Sequence, residues 1–195
     1  MSENIAFIGV GNMGNPMACN LKNAGKKVKV FDVSKEMIDK AIENNLDVEK
    51  DFGKLINSET SVVITMLPEG KHSKEVYLKE NGVLDKVSKN CLLIDCSTID
   101  IQTSIKIGKK ASEKGIEMID APVSGGVMGA QKATLNIMVG GSKEAFEKAL
   151  PLLKIMGKNI FHAGDLGSGN GAKICNNMAL GIAMIAASEL SLIHI

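Results

Sequence analysis

Aromatic side chains are scarce in this 195-residue sequence, which has no Trp, one Tyr and five Phe. Few side chains are therefore available on which nucleic-acid bases could stack. Positive charge is not in surplus either, because 23 Lys and Arg residues face 22 Asp and Glu residues, for a net charge of +1. Since binding to a phosphate backbone depends on a basic surplus, we expect no nucleic-acid partner.

Cysteine is also sparse, and its spacing does not match the common metal motifs. Cys19, Cys91, Cys96 and Cys175 form no C-x-x-C pair, and none lies near a His at the spacing of zinc ligands. We therefore predict free thiols in a reducing compartment, and we predict no metal site.

The sequence also lacks the pattern of a signal peptide or an Arg-rich transit segment, since its first four residues run directly into a strand-like stretch at residues 5–8. The longest charge-free apolar stretch, residues 174–188, includes two Asn and is shorter than the ~20 residues that span a bilayer. These absences predict no membrane partner and a cytoplasmic protein. A mature form from the mitochondrial matrix of a eukaryote is the alternative.

Short apolar runs alternate with amphipathic segments through the first 120 residues. The apolar runs predict buried parallel strands at residues 5–8, 28–31, 61–66, 91–95 and 116–119. The segments between them predict helices at residues 12–25, 34–44, 51–57, 71–78 and 100–115. This alternation is typical of βαβ units, with helices on both faces of a parallel sheet.

The regular alternation of apolar runs and amphipathic segments ends after residue 120. A Gly- and Pro-rich loop at residues 121–129 is followed by a predicted strand at 135–139, a helix at 142–156 and a short strand at 159–162. Four glycines within residues 164–171 predict a flexible connection to one long helix that is apolar on almost every side. Such a helix is normally buried, so we expect either a truncated chain or burial in an oligomer.

The first functional motif is Gly9-Val10-Gly11-Asn12-Met13-Gly14, a G-x-G-x-x-G sequence between a strand and a helix. In this motif Gly9 permits the tight turn, Gly11 lets the backbone approach a pyrophosphate, and Gly14 lets the helix pack close to the strand. The start of the helix, at Asn12 and Met13, then offers N–H groups to the phosphates, so these two residues also belong to the predicted cofactor site. A glycine-rich turn that binds nothing is the alternative.

Asp32 closes the second predicted strand, 18 residues after Gly14. A carboxylate at this place accepts hydrogen bonds from the adenosine ribose and repels a 2′-phosphate, so it favours NAD over NADP. The alternative is an Asp that caps the following helix.

Two later loops follow predicted strands, at the edge where the carboxyl ends of a parallel sheet form a ligand crevice. Leu67 and Pro68 either belong to this crevice or form an ordinary turn. Thr98 either reaches the nicotinamide ribose or, like Ser97 or Asp100, caps the next helix.

A third loop contains Ser124, Gly125 and Gly126. Successive N–H groups in such a polar, glycine-rich loop are suited to an anion, and a substrate carboxylate would fit them. A purely structural turn is the alternative.

Lys173 is the residue best suited to chemistry, because it is the only Lys or Arg after Lys158 and has Ile174 and Cys175 beside it. Asn177 follows at i+4, so the two side chains share a helix face. An ammonium at this position can donate to a carbonyl oxygen, or act as a general acid or base if burial lowers its pKa. The alternative is a surface Lys whose stem covers apolar groups at the end of a helix.

Together these motifs resemble the β-hydroxyacid dehydrogenase family, and within it the members that act on 3-hydroxyisobutyrate. The resemblance extends from residue 4 to about residue 190 and is carried by segments 7–18, 120–126 and 171–178. It implies an α/β fold with a Rossmann-type doubly wound, mainly parallel sheet at residues 1–164. Residues 165–195 would then begin an all-α second domain, of which a C-terminally truncated chain retains the first long helix.

The resemblance also implies NAD-dependent oxidation of 3-hydroxyisobutyrate to methylmalonate semialdehyde, a step in valine breakdown, in a homodimer or larger homo-oligomer. Lys173 would be the catalytic general acid/base, assisted by Asn177. The remaining roles it implies are carboxylate binding by Ser124, Gly125 and Gly126, nicotinamide contacts from Leu67, Pro68 and Thr98, and a polar cofactor contact from His72.

Alternatives within the same family are reductases of tartronate, glyoxylate or succinate semialdehyde. Alternatives of other kinds are an NAD-binding module without catalysis and an NADPH-using regulator. The sequence departs from the family pattern at Ala133, where Gly is usual, and at Cys96, where a small hydroxyl residue is usual.

Overall fold

The computed structural model describes the backbone of residues 3–193 and the side chains of residues 3–191. The strands in this range are β1 (Asn4–Ile8), β2 (Lys27–Phe31), β3 (Asp47–Val48), β4 (Val62–Thr65), β5 (Leu92–Asp95), β6 (Glu117–Asp120), β7 (Val123–Ser124), β8 (Leu135–Gly140) and β9 (Gly157–Gly164). The helices are α1 (Gly14–Asn23), α2 (Lys35–Glu43), α3 (Phe52–Leu55), α4 (Gly70–Leu78), α5 (Val83–Lys86), α6 (Ile101–Glu113), α7 (Gly126–Gln131), α8 (Lys143–Met156) and α9 (Ser168–Ile193).

The strands form one sheet in the order β3-β2-β1-β4-β5-β6-β8-β7, and β9 pairs with β8. β1 lies between β2 and β4 and is parallel to both, since Ile5 is paired with Val28 on one side and Val62 on the other. β5 and β6 continue the parallel arrangement, whereas β8 is antiparallel to β6 and β7. The predicted doubly wound, mainly parallel sheet is confirmed. Strand order reverses at β1, and open α/β sheets bind ligands at such a reversal.

Helices cover both faces of the sheet, and the alternation of side chains along β1 divides the core between them. Phe7 belongs to the buried cluster that includes Leu21 of α1. The next residue, Ile8, belongs to the cluster on the other face, together with Ile107 of α6. Fully burying side chains of this size contributes about 1.5–3 kcal/mol each, so both faces stabilise the edge of the sheet where the site lies.

Several short elements differ from the sequence-based expectation. β3 and α5 fall in segments for which no element was predicted, because two to four residues are too few to establish a periodicity. The predicted loop at residues 121–129 contains β7 and the start of α7. The run of glycines predicted to be flexible is partly helical, since α9 begins at Ser168.

α9 is buried only at its start, so within the described residues the apolar remainder of the helix has no partner. Lys173 is 8% exposed, whereas Met178 is 64% exposed and Ile185 is 66% exposed. By length and composition alone, residues Ser168–Ser191 also satisfy a criterion for a membrane-spanning helix, with a mean hydropathy of 1.2. Core helices of soluble proteins satisfy the same criterion, so it does not identify what contacts α9.

Candidate functional site

The loops that follow β1, β4, β5 and β6 meet at the carboxyl edge of the sheet and are tied to one another in a row. The backbone N–H groups just beyond three of these strands donate to the neighbouring strand at 2.9, 2.8 and 2.7 Å, from Met66 to Ile8, from Cys96 to Thr65 and from Ala121 to Asp95. These bonds extend the pairing of the strands into the loops, so the predicted site residues are carried on a rigid edge.

The glycine motif forms the turn between β1 and α1, and two of its glycines are required by close backbone contacts. A Cβ atom on Gly9, whose φ is +92°, would lie 2.3 Å from the carbonyl oxygen of Met66. A Cβ atom on Gly14 would lie 1.9 Å from the carbonyl oxygen of Gly9. Beside Gly11, in contrast, a Cβ atom would have no protein atom within 4 Å, so the backbone here borders open space.

The start of α1 has the properties of an anion site. Met13 occupies the N-cap position without a side-chain hydrogen bond, and the first turn of the helix contains no acidic residue. The N–H groups and the positive end of the helix dipole are therefore not neutralised by a carboxylate. The open side of Gly11 faces the same turn, so a pyrophosphate of a dinucleotide fits these residues.

Asp32 follows the last residue of β2 and holds the glycine turn in place. Its Oδ2 atom accepts a hydrogen bond from the N–H of Val10 at 2.8 Å, and Oδ1 accepts one from the N–H of Ser34 at 2.8 Å. Ser34, not Asp32, occupies the N-cap position of α2, so the capping alternative is wrong. Each carboxylate oxygen has two lone pairs, and acceptor capacity remains for a ribose hydroxyl.

A cavity of about 590 Å³ lies between the glycine turn, the end of β2 and α4. It collects nine of the ten residues predicted to bind the cofactor, namely Gly9, Gly11, Asn12, Met13, Gly14, Asp32, Leu67, Pro68 and His72. The sequence did not point to other lining residues, which include Val33, Phe52, Glu75, Val76 and Lys79. Most of these lie on short or exposed elements whose role depends on the tertiary fold.

His72 lies near the start of α4 and lines this cavity. Its Nδ1 atom is buried, and the described part of the chain provides no hydrogen-bond partner for it. The ring lines the cavity, while this nitrogen atom lies beneath the surface. This placement is compatible with the predicted polar cofactor contact.

Thr98 is the predicted cofactor residue that does not line the cavity. The helix that follows it is capped by Asp100, whose Oδ1 accepts a hydrogen bond from the N–H of Thr103 at 2.8 Å. Ser97 is buried and accepts a hydrogen bond from the N–H of Leu67 at 2.8 Å. Thr98 is exposed and has no capping role, which leaves its hydroxyl available for a ligand.

A buried polar network supports the Leu67 loop, and sequence reasoning missed it. Asp95 is 0% exposed and its Oδ1 accepts hydrogen bonds from Thr65 Oγ1 at 2.8 Å and from the N–H of Ser97 at 3.0 Å. The hydroxyl of Tyr77, also buried, lies 2.8 Å from the same Thr65 oxygen. Burial raises the pKa of the Asp95 carboxyl above its ordinary value.

Ser124 and the two glycines after it turn the chain from β7 into α7. Gly125 has φ +138° and Gly126 has φ +64°, backbone conformations that favour glycine. A Cβ atom on Gly126 would meet no protein atom within 4 Å. Ser124 is half-buried, and its strand pairs with β8, against which the start of α9 also packs.

Lys173 lies in the second turn of α9 and is largely buried. Burial lowers the pKa of its amino group. Among residues 3–191, no carboxylate lies within ion-pair distance of this amine. Burial without a counter-ion disagrees with a solvated surface Lys, whereas Asn177, one turn later, is exposed. No set of His, Cys, Asp and Glu side chains in the described residues is arranged to hold a metal ion.

Comparison with known proteins places these features in one family. A family model for the NAD-binding domain of 6-phosphogluconate dehydrogenase matches residues 4–164. A 3-hydroxyisobutyrate dehydrogenase of Pseudomonas aeruginosa is 49% identical over 95% of the chain, which covers 62% of that enzyme. An NAD-dependent L-serine dehydrogenase from the same organism is 44% identical over 96% of the chain, which again covers 62% of the enzyme.

Solved structures agree with this relationship. The Mycobacterium tuberculosis 3-hydroxyisobutyrate dehydrogenase, solved with L-serine, is 40% identical and superimposes with a TM-score of 0.91, over 97% of this chain and 64% of that one. The chain thus spans about 60% of the length of the relatives it matches. The match over residues 4–164 shows that the chain belongs to the family of NAD-binding domains found in 6-phosphogluconate dehydrogenase, and it confirms the resemblance to the β-hydroxyacid dehydrogenases.

Proposed function

We propose that the whole protein is an NAD-dependent dehydrogenase of a small 3-hydroxy acid, and that it oxidises 3-hydroxyisobutyrate to methylmalonate semialdehyde. The observation that carries this proposal is the burial of Lys173, which lowers the pKa of its amine without an ion-pair partner in the described residues. A lysine whose pKa is lowered in this way loses its proton more readily than a solvated one, so it is suited to accept or return a proton. Its helix packs against the same part of the sheet as the Ser124 loop.

The dinucleotide would be held at the reversal point of the sheet. The N–H groups at the start of α1 would bind the pyrophosphate, with Gly11 providing room for close approach. Asp32 would accept hydrogen bonds from the adenosine ribose, and Leu67, Pro68 and Thr98 would contact the nicotinamide half. NAD, when bound, accepts a hydride from the carbinol carbon of the substrate.

The substrate would be held by residues outside the dinucleotide cavity. Ser124, Gly125 and Gly126 would bind the carboxylate through a hydroxyl and successive N–H groups. Neutral Lys173 would take the hydroxyl proton as the carbonyl forms, and Asn177 would orient the reacting oxygen. The same two residues would act in reverse during reduction of the aldehyde, with the ammonium of Lys173 as the proton donor.

L-serine is a second candidate substrate, supported by the L-serine dehydrogenase relative and by the M. tuberculosis enzyme solved with L-serine. Both acids carry a carboxylate at C1 and a primary alcohol at C3. They differ at C2, which bears a methyl group in 3-hydroxyisobutyrate and an ammonium group in L-serine. A panel that compares kcat/KM for both acids, and for tartronate and succinate semialdehydes, separates these alternatives.

The decisive experiment follows NADH formation by the whole protein with 3-hydroxyisobutyrate, and compares wild type with Lys173→Ala and Lys143→Ala. Lys143 lies at the exposed start of α8, away from the site, and serves as the matched control. We expect Lys173→Ala to lower kcat by at least about 10²-fold, the contribution typical of general acid–base catalysis, and to leave the NAD dissociation constant unchanged.

Retention of turnover in Lys173→Ala would contradict the assignment of this residue. If the wild-type protein binds NADH, as shown by a rise in Tm, but oxidises no acid in the panel, it is a dinucleotide-binding module without this chemistry. Binding of NADPH as tight as that of NADH would favour the regulator alternative instead.

The same proposal includes a homodimer or larger homo-oligomer. Met178, Ile182 and Ile185 lie at i, i+4 and i+7 of α9, and they are 64%, 62% and 66% exposed. An apolar stripe of this kind is typical of an interface. Analytical ultracentrifugation of the whole protein, with Ile182→Lys as the interface variant, tests this part, and a monomeric wild type would contradict it.

A further inference from the structure

Asn170, in the first turn of α9, is completely buried and uses every polar atom of its side chain. Its Oδ1 accepts a hydrogen bond from the N–H of Ile99 at 3.0 Å. Its Nδ2 donates to Ser104 Oγ at 3.0 Å and to Asp120 Oδ2 at 3.3 Å. One amide therefore joins α9 to the loop after β5, to α6 and to the end of β6.

Asp120 completes the connection from the other side. Its Oδ1 accepts a hydrogen bond from the N–H of Gly167 at 2.7 Å, and its Oδ2 accepts one from the N–H of Asn170 at 2.7 Å. The carboxylate thus satisfies N–H groups that no residue within the helix can reach, and its charge matches the positive end of the helix dipole. Asp120 is 0% exposed, so these bonds form in a low-dielectric interior where they are strong.

The start of α9 lies so close to the sheet that two positions at their contact, Gly169 and Gly140, have no room for a side chain. A Cβ atom on Gly169 would lie 2.5 Å from the carbonyl oxygen of Met138 and 2.9 Å from Asp120 Oδ2. A Cβ atom on Gly140 would lie 2.7 Å from the N atom of Gly169. The start of α9 is therefore seated directly on the strands, and its position there is fixed by backbone contacts as well as by hydrogen bonds.

The segments joined by Asn170 are those that carry the residues assigned above to the reaction. Ile99, whose N–H it holds, follows Thr98 directly, and Asp120 begins the segment that leads to Ser124. Lys173 lies three residues after Asn170, on the same side of the helix one turn on. The distance between the lysine amine and the ligands held by the other two loops therefore depends on this buried side chain, together with Asp120 and the close backbone contacts.

We propose that Asn170, together with Asp120, is a positioning residue that sets Lys173 relative to the cofactor loop at Thr98 and the substrate loop at Ser124. This inference rests on the proposed dehydrogenase function. Neither residue contacts the reacting atoms, and both act through the segments they join. Because a displacement of about 1 Å at a reacting group can cost about 10²-fold in rate, loss of this connection affects hydride and proton transfer more than ligand affinity.

The test compares the whole protein with its Asn170→Ala and Val62→Ala variants. Val62 is buried at the amino end of β4, at the opposite edge of the sheet, so its truncation lowers Tm without touching the connection.

We expect Asn170→Ala to lower kcat by about 10- to 100-fold and to raise the primary deuterium isotope effect measured with 3-deuterated acid. NAD affinity should stay within about threefold of wild type, because Gly9–Gly14 and Asp32 bind the other half of the dinucleotide. Val62→Ala should change neither kcat nor the isotope effect.

A second measurement does not depend on turnover. Acetic anhydride labels neutral amines, so the pH midpoint for labelling Lys173 in the free protein follows its pKa. We expect this midpoint to rise toward that of an ordinary lysine in Asn170→Ala, because the amine loses its buried position, and to be unchanged in Val62→Ala. If Asn170→Ala does not fold, Ser104→Ala removes one partner of Nδ2 and must shift the midpoint in the same direction.

The two proposals fail in different ways. An active wild type whose Asn170→Ala variant keeps its kcat, isotope effect and labelling midpoint overturns the positioning role alone. A wild type that binds NAD but oxidises none of the acids overturns the dehydrogenase assignment, whatever the labelling shows. A Val62→Ala variant that reproduces every effect of Asn170→Ala also overturns the positioning role, because the effects then follow from lost stability.

Discussion

The carboxylate of Asp32 accepts a hydrogen bond from the backbone N–H of Val10, with 2.8 Å between Oδ2 and N. This bond joins the end of β2 to the glycine turn that follows β1, so the group proposed to recognise the ribose also holds the turn proposed to bind the phosphates. Cofactor preference and turn geometry are therefore linked through one side chain.

We expect Asp32→Asn to weaken NADH binding by roughly tenfold and to reduce the ratio of NADH affinity to NADPH affinity. The amide keeps one acceptor oxygen for Val10, but it loses the charge and places its NH₂ group against the N–H of Ser34. Hydrogen bonds to a charged group are worth about 1.5–3 kcal/mol. Fluorescence titration with both reduced cofactors measures the effect. Asp39→Asn, an exposed change on α2, is the control. An unaltered NADH affinity in Asp32→Asn would refute the ribose contact.

Substitution of two glycines in the turn should affect different properties, NAD affinity at Gly11 and the free energy of unfolding at Gly14. Gly11→Ala places a methyl group in open space, so the free energy of unfolding should change by no more than about 0.5 kcal/mol. NAD affinity should fall by roughly tenfold or more, equivalent to about 1.4 kcal/mol, because the methyl group occupies the approach of the pyrophosphate. Gly14→Ala forces a methyl group against the Gly9 carbonyl and should cost about 3 kcal/mol or more. Urea unfolding and calorimetric titration distinguish the two effects, and equal losses of stability would contradict this reading of Gly11.

The pH dependence of oxidation should report Lys173. Its pKa is lowered by burial, so kcat/KM should rise with pH at values below the ~10.4 of a free lysine. Lys173→Arg keeps the positive charge but cannot lose its proton, and this variant should lack the rise. A pH profile that is the same in Lys173→Arg would assign the proton transfer to another group.

Burial of the ammonium also links Lys173 to stability. Because the folded-state pKa is lower than the unfolded one, the unfolded chain binds more protons between the two values, and stability rises with pH in that window. Below the folded-state pKa the full cost of burying the charge is present. Lys173→Met should therefore be more stable than wild type near neutral pH, and the difference should shrink as the solution becomes more alkaline.

Asp95 should show the opposite dependence. Its pKa is raised by burial, and its Oδ2 has no hydrogen-bond partner in the described part of the chain. The folded protein therefore retains a proton that the unfolded chain has lost, and stability falls as pH rises through the folded-state pKa. Asp95→Asn cannot ionise, so its stability relative to wild type should improve as the pH rises above the ~3.9 at which an unfolded Asp loses its proton. Urea unfolding of the wild type and of Asp95→Asn at several pH values in this range tests the sign.

Ala133 adopts a left-handed backbone conformation, with φ +54°. This conformation costs a residue with a Cβ atom about 1–2 kcal/mol, whereas glycine adopts it freely. Replacement by glycine also raises the entropy of the unfolded chain, which offsets about 0.4–1 kcal/mol. We expect Ala133→Gly to stabilise the protein by about 0.5 kcal/mol, and Ala130→Gly, within α7, to destabilise it. A destabilised Ala133→Gly variant would show that the strain is relieved elsewhere.

The parts of the fold that the sequence predicted are those encoded locally. The run from Ile5 to Ile8 is apolar and bounded by a glycine motif, so its strand and the turn after it follow from neighbouring residues. Asp32 was also identifiable, because its spacing from Gly14 is set by a single βα unit.

The buried network at the start of α9 could not be predicted in this way. Asn170 contacts Ile99, Ser104 and Asp120, which lie 71, 66 and 50 residues away in the chain. A glycine-rich run such as residues 164–171 has the composition of a flexible loop, and only the tertiary fold shows that its glycines permit close approach. The apolar composition of α9 indicated that the helix needs a contact surface, but composition does not identify that surface.

The row of backbone hydrogen bonds that joins the loops after β1, β4, β5 and β6 has a consequence for folding. Its members come from residues as far apart as Ile8 and Ala121, so the binding edge exists only when the whole parallel sheet has formed. A partly folded chain with β1, α1 and β2 alone would contain the glycine motif and Asp32 but not the wall that Met66 and Leu67 provide. Cofactor affinity is in this sense a property of the complete sheet, and a bound dinucleotide should slow amide exchange in β5 and β6 as well as in the strands it touches.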